Sequence, residues 1–305
     1  MLNPAYLKEL IMSYNTSTID FIGYASAIAG YDIDAQFGAQ SFYAWVNEHI
    51  SSISPVIIEE NASSQDKVTN IKNSLTNLAK TVADSVARQR QFAVIGGDHS
   101  SGIGTWSGVA NQLQAPFSLI WVDAHMDAHT IDTSPSKNIH GMPIAHLLGK
   151  KLASLHSISQ RSPALMPQHL FLIGVRSYER EEALFLKKQG VRIYLIEEVM
   201  ERGIHDVLKE VLNHCRTLTS HYGFSIDVDA FDAAQMPGTG LHVGNGICVQ
   251  DFLHALLNLD LAEGLLGVEI AEYSPHRDVN FKTASMMYQM LNALLINPQS
   301  SIYSK

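Results

Sequence analysis

Apolar, β-branched residues fall into short blocks along this chain, and stretches of helical spacing separate them. The blocks are IDFIGYA (19–25), FAVIGG (92–97), FSLIWVD (117–123), LFLIGV (170–175), VRIYLI (191–196), GFSIDVD (223–229) and LLGVEI (265–270). Several are apolar almost throughout, as strands buried on both faces of a sheet should be. Between them, Val68, Ile71, Leu75, Leu78, Val82 and Val86 recur every three or four positions, and so do Ile204, Val207, Leu208, Val211, Leu212, Cys215 and Leu218. Each set forms one apolar stripe of an amphipathic helix. Such alternation predicts an α/β fold with a mainly parallel central sheet covered by helices on both sides. The sequence has no internal repeat, and the glycine-rich PGTGLHVGN beginning at Pro237 reads as a loop within the domain.

Composition narrows the partners. A net charge of −9 leaves no basic surface for nucleic acid or an anionic membrane. No apolar run approaches the roughly 20 residues of a membrane span. The N-terminal MLNPAYLKELIMSYN is broken by polar residues and Pro4, which argues against a secretory signal. Cys215 and Cys248 show no ligand spacing, so a reduced, cytoplasmic compartment is expected.

The polar clusters fall where the apolar blocks end. FAVIGG runs into Asp98-His99-Ser100, and FSLIWVD ends in Asp123, with His125 and Asp127 following. GFSIDVD carries Asp227 and Asp229, and LLGVEI runs out into Ala271-Glu272. Ligands of an open parallel sheet bind outside the carboxyl ends of its strands. Four strands are thus expected to bring acids and imidazoles to one edge. Strand alternation would place Asp227 with Asp229, and Asp123 with His125, on shared faces. Desolvating so many carboxylates without Lys or Arg would cost several kcal/mol each, and cations remove that cost. The set of Asp123, Asp127, Asp227 and Asp229 with His99 and His125, free of thiolates, suits Mn²⁺ best, with Fe²⁺, Co²⁺ or Ni²⁺ as possible substitutes. Six ligands are too many for one catalytic ion with an open position and fit two ions bridged by carboxylates. Such a pair lowers the pKa of a water between its ions and supplies hydroxide at neutral pH. His49, His156, His169, His205, His214, His221, His254 and His276 are read as surface or helix-face residues.

GGDHS (96–100), DAHMDAH (123–129), NIHGMP (138–143), GVRSYE (174–179), SIDVDAFD (225–232) and EYSP (272–275) together resemble the arginase, or ureohydrolase, family. The resemblance implies one three-layer α/β/α domain over residues 1–305 and a dinuclear manganese centre. It also implies hydrolysis of a small guanidino substrate to urea and an amine, and a homo-oligomer, trimer or hexamer. By position, one ion would be held by His99, Asp123, Asp127 and Asp227, and the other by His125, Asp123, Asp227 and Asp229. Asp127 would pass a proton to the departing amine, Glu272 would fix the guanidinium, and His140 would shuttle protons.

Within the family the loop before that histidine binds the amino-acid end of the substrate. Ser136 and Asn138 stand at its carboxylate-contacting positions, and Glu179 at that of an acid near the α-amino group. L-Arginine is therefore the expected substrate. Agmatine, guanidinobutyrate and formimidoylglutamate belong to the alternatives, as does a non-catalytic metal-binding homologue. A deacetylase of related fold would hold one zinc instead. Four departures accompany the match: His129 stands where many arginases carry a carboxylate-binding Asn, and Lys137 replaces a usual Gly. Ala233 follows Asp232 where Pro is common, and LHVGNGI (241–247) replaces a different glycine-rich run.

Overall fold

All seven expected strands form, and an eighth joins them. The computed structural model describes residues 18–60, 64–261 and 263–296, so the N-terminal stretch discussed above lies outside the described residues. The strands are β1 (Ile19–Ala25), β2 (Val56–Glu59), β3 (Gln91–Ile95), β4 (Ser118–Val122), β5 (Leu170–Val175), β6 (Arg192–Leu195), β7 (Tyr222–Asp227) and β8 (Leu265–Ala271). They make one sheet in the order β2-β1-β3-β8-β7-β4-β5-β6, with every neighbouring pair parallel. β2 escaped the sequence reading because it is four residues long and lies at the sheet edge with both ends exposed. So short a segment shows no period.

Helices cover both faces. α1 (Gly38–His49), α7 (Ile204–Leu218), α8 (Val249–Asn258) and α9 (Lys282–Leu291) pack on one side, where Phe42, Val207, Leu208, Phe252 and Met287 meet Ala93, Ile95, Ile226 and Ile270. α2 (Lys67–Ala87), α3 (Ser101–Gln112) and α4 (Pro143–Leu147) pack on the other, where Leu75, Leu78, Trp106 and Leu147 meet Phe92, Val94, Leu119 and Leu172. Adjacent residues of a strand point to opposite faces, so β3 sends Phe92 and Val94 into one core and Ala93 and Ile95 into the other. This produces strands buried on both sides and apolar throughout. Two shorter-loop helices, α5 (Arg180–Gln189) and α6 (Ile196–Arg202), complete the set. α2 begins where Asp66 accepts from the backbone N–H of Val68 and Thr69, which satisfies two orphan donors of its first turn. Among the described residues no helix is long and apolar enough to cross a membrane.

Candidate active site

Register explains why the acids gather. Ile95, Ile270, Ile226 and Val122 stand in one row across β3, β8, β7 and β4, four adjacent strands in the middle of the sheet. One residue further along, the row reads Gly96, Ala271, Asp227 and Asp123. Each chain then leaves the sheet and turns over its edge. Between β3 and α3 the close approach of the backbone requires glycine: a Cβ on Gly97 would lie 1.9 Å from the carbonyl oxygen of Ser26.

Strand alternation turns out not to be what pairs the ligands. β4 stops at Val122 and β7 at Asp227, and Val228–Ala230 form a 3-10 turn. Each pair is made instead by an aspartate that accepts from the backbone two residues on. Asp123 Oδ1 accepts from the N–H of His125 at 2.7 Å, and Asp227 Oδ1 accepts from that of Asp229 at 2.8 Å. A tight turn, rather than an extended strand, thus brings residue i+2 back beside residue i.

The resulting cluster is compact and buried. His99 Nδ1 lies 3.2 Å from an oxygen of Asp123, 3.2 Å from one of Asp127 and 3.1 Å from one of Asp227, yet makes no hydrogen bond to any of them. His125 Nδ1 lies 3.2 Å from Asp229 and 3.5 Å from Asp123. Two groups of donor atoms therefore have the dimensions of cation sites, His99–Asp123–Asp227 and Asp123–His125–Asp229, and they share Asp123. An orphaned buried nitrogen facing three carboxylates fits a divalent cation. Asp127 and Glu272 hold left-handed backbone, with φ of 45° and 63°. Such conformations cost a non-glycine residue on the order of 1 kcal/mol or more, and they persist where surrounding structure dictates them.

Charge balance leads to the same chemistry. Burial would lower the pKa of His99, but the carboxylates of Asp123, Asp127 and Asp227 gathered around its ring push it well up. Burial opposes a charged His125 in the same way and is overcome by Asp229 and Asp123. Asp127 is pushed up to about 6, first by burial and then by the charge of Asp123. Asp227 is raised by burial and by its neighbours Asp229 and Asp123. Protons on the imidazoles thus offset part of the acidic charge, the role a cation would take over. Cation binding should release those protons and strengthen as pH rises.

Above the acids opens a cavity of about 410 Å³, lined among others by His99, His125, Asp127, Ser136, Asn138, His140, Glu179, Glu182 and Glu272. Glu272 Oε1 accepts from the backbone N–H of His99 at 2.9 Å and lies 3.1 Å from His140 Nδ1. Both contacts use one oxygen, which leaves Oε2 for a ligand. Burial disfavours a charged His140, but the Glu272 hydrogen bond and the charges of Glu272, Asp98 and Asp127 raise its pKa to about 9. Its folded pKa therefore exceeds the ordinary value of about 6.5. The stability this pairing contributes is full below pH ~6.5 and is lost as pH rises through about 9. In chelated protein the His140 ring should titrate by NMR near pH 9, and cation loading should move that midpoint down. A midpoint near 6.5 in chelated protein would show that Glu272 does not hold the ring.

Ser136 and Asn138 sit on the cavity wall, where Ser136 Oγ accepts from the N–H of Asn138 at 3.2 Å. His129 also lines the cavity, but both of its ring nitrogens are engaged: Nδ1 with Thr133 Oγ1 at 3.1 Å, and Nε2 with Glu179 at 3.0 Å and Glu182 at 3.4 Å. It braces Glu179 rather than standing free as an amide would. Lys137 turns away, its ammonium donating to the Ile131 carbonyl at 2.6 Å. Its φ of 60° explains why a glycine is usual at this position.

The sequence gives no role to three contributors, two of them buried and Arg176 half-buried. Glu182, in the first turn of α5, accepts from the N–H groups of Ala128 and Glu179 and ties the ligand loop to the helix. Burial pushes its pKa up to about 8. Arg176 donates to the carbonyls of Gly174, Asp229, Ala230, Val243 and Gly244, so it clamps the Asp229 turn to the glycine-rich loop. Its place inside GVRSYE was the available signal. The third, Glu269, lies in an apolar strand three residues before Glu272. Of the eight histidines read as bland, His169 is buried and the others are exposed or half-buried.

Comparison with known proteins agrees over most of the chain. A family model described as the arginase family matches residues 29–296. An arginase from Bacillus caldovelox is 38% identical over 217 residues, which cover 71% of this chain and 72% of that protein. The solved structure of arginase from Bacillus caldovelox superposes with a TM-score of 0.81 at 31% identity, covering 90% of this chain and 97% of that one. Entamoeba histolytica arginase, solved in complex with L-ornithine, gives a TM-score of 0.82 at 25% identity, with 90% and 97% covered.

Proposed function

Because this chain belongs to the arginase family, whose members hydrolyse C–N bonds of linear amidines, we propose that it converts L-arginine to L-ornithine and urea with two manganese ions per chain. The observation that carries this reading is the pair of donor groups sharing Asp123 at the floor of a cavity whose wall presents Glu272. His99, Asp123, Asp127 and Asp227 would hold one ion, and His125, Asp123, Asp227 and Asp229 the other, with Asp123 and Asp227 bridging. When bound, such a pair supplies a strongly acidified water as nucleophile.

The chain's own residues do the rest. A guanidinium is resonance-stabilised and planar, so its carbon must be held in place and its leaving nitrogen protonated. Glu272 Oε2 pairs with the planar cation through a charge-assisted hydrogen bond, and the left-handed backbone at this residue aims the carboxylate. Asp127, which lines the cavity beside His99, takes a proton and delivers it to the departing amine. His140, about one-quarter exposed and bonded to Glu272, exchanges protons with bulk water. At the outer end, Ser136 and Asn138 meet the substrate carboxylate and Glu179 the α-ammonium, with His129 bracing Glu179. A homo-oligomer and a cytoplasmic location complete the reading, the first from the family resemblance and the second from two cysteines that are both free.

Substrate preference is the test. Agmatine lacks the carboxylate, so it leaves Ser136 and Asn138 unmatched. Two lost hydrogen bonds to a charged group, at about 1.5 kcal/mol each, predict a kcat/KM for arginine roughly 10²-fold above that for agmatine. Lys137→Gly should leave the arginine KM within about twofold, because the ammonium is spent on Ile131. Comparable kcat/KM values for agmatine or 4-guanidinobutyrate would reassign the chain to another ureohydrolase activity.

A further inference from the structure

Beneath the candidate ligands runs a buried polar chain that the reaction does not use. Trp121, Ser225 and Glu269 occupy one register row of β4, β7 and β8, two residues before Asp123, Asp227 and Ala271. The same-face rule therefore places the first two beneath Asp123 and Asp227. Glu269 is completely buried and accepts three hydrogen bonds, from Ser101 Oγ at 2.5 Å, Trp106 Nε1 at 2.9 Å and Ser225 Oγ at 2.9 Å. Ser225 Oγ also lies 3.0 Å from His99 Nε2. A hydroxyl has one proton. Because Ser225 gives its proton to Glu269, its oxygen faces His99 as an acceptor, and Nε2 carries the hydrogen. In the neutral imidazole that a cation requires, that assignment leaves the lone pair on Nδ1, the atom that faces Asp123, Asp127 and Asp227 without a hydrogen bond. Trp121 fixes the ring plane by stacking on His99 at 4.2 Å and 15°, while its Nε1–H donates to Asp123 Oδ2 at 2.9 Å.

We propose that Ser225 and Glu269 are positioning residues that hold His99 in the Nε2–H tautomer and so set the affinity of the cation position that His99 serves. The proposal rests on the two-cation reading above. A neutral imidazole whose far nitrogen donates into a chain ending on a carboxylate is a stronger and better-aimed ligand than one left free to choose its tautomer.

The test is calorimetric titration of Mn²⁺ into chelator-stripped wild type, Ser225→Ala, Glu269→Gln and Ser101→Ala. Thermal melts of the stripped proteins serve as the folding control. Wild type should show two binding events. Ser225→Ala and Glu269→Gln should each weaken one event by roughly 10–100-fold and leave the other in place. Ser101→Ala removes a different donor to the same carboxylate, so it should bind both ions as wild type does. Binding of both ions by Ser225→Ala at wild-type affinity overturns the proposal. So does an equal loss in Ser101→Ala, which would assign the effect to the packing of Glu269. Absence of both events in wild type would instead remove the two-cation reading and the proposal with it.

Discussion

Asp123→Ala should disable both cation positions at once. Asp123 belongs to both donor groups, one with His99 and Asp227 and the other with His125 and Asp229. It also accepts from the His125 N–H and from Trp121, so its loss frees the ligand loop as well as a ligand atom. Burial would raise its pKa, but the imidazoles of His125 and His99 beside it hold it below the usual carboxylate range, and it meets a cation already ionised. The variant should lose at least about 10³-fold in kcat, because the nucleophile depends on the bound cations. The stabilisation that Mn²⁺ gives the wild type, about 2.7 kcal/mol at a hundredfold excess over Kd, should largely vanish. Asp229→Ala removes a ligand from one group only, so it should retain one binding event. Wild-type metal content in Asp123→Ala would break the bridging assignment.

Glu272→Gln should keep both ions and lose most turnover. Glu272 belongs to neither donor group, and its Oε1 is occupied by the backbone of His99 and by the His140 ring. Glutamine keeps the shape and an acceptor oxygen but removes the charge that pairs with the guanidinium. A preorganised charge of this kind contributes roughly 10²–10³-fold in kcat. The charge also sustains the raised pKa of His140, so in chelated variant protein that ring should titrate well below 9. Measured kcat near wild type, with arginine still preferred, would show that the guanidinium is held elsewhere.

The sequence made the sheet legible because strands buried on both faces must be apolar throughout, and LFLIGV and FSLIWVD cannot easily be anything else. The cluster of acids and imidazoles was equally legible, since DAHMDAH and SIDVDAFD stand at the ends of neighbouring strands. What could not be read was geometry that depends on turns. Asp229 reaches Asp227 through a 3-10 turn, and alternation suggested the right pair for the wrong reason. Position within a strand hid Glu269, because an isolated acid among apolar residues gives no sign that Ser225, Ser101 and Trp106 surround it. His129 and Lys137 stood out as departures, but only side-chain contacts show one bracing Glu179 and the other turned back on its own loop.

The most direct measurement is the metal content of the active enzyme. Protein loaded with Mn²⁺, freed of excess ion and assayed for urea release from arginine should contain two ions per chain, and chelation should abolish turnover. Both follow from two donor groups joined at Asp123. One ion per chain at full activity, or turnover that survives complete chelation, would contradict the account.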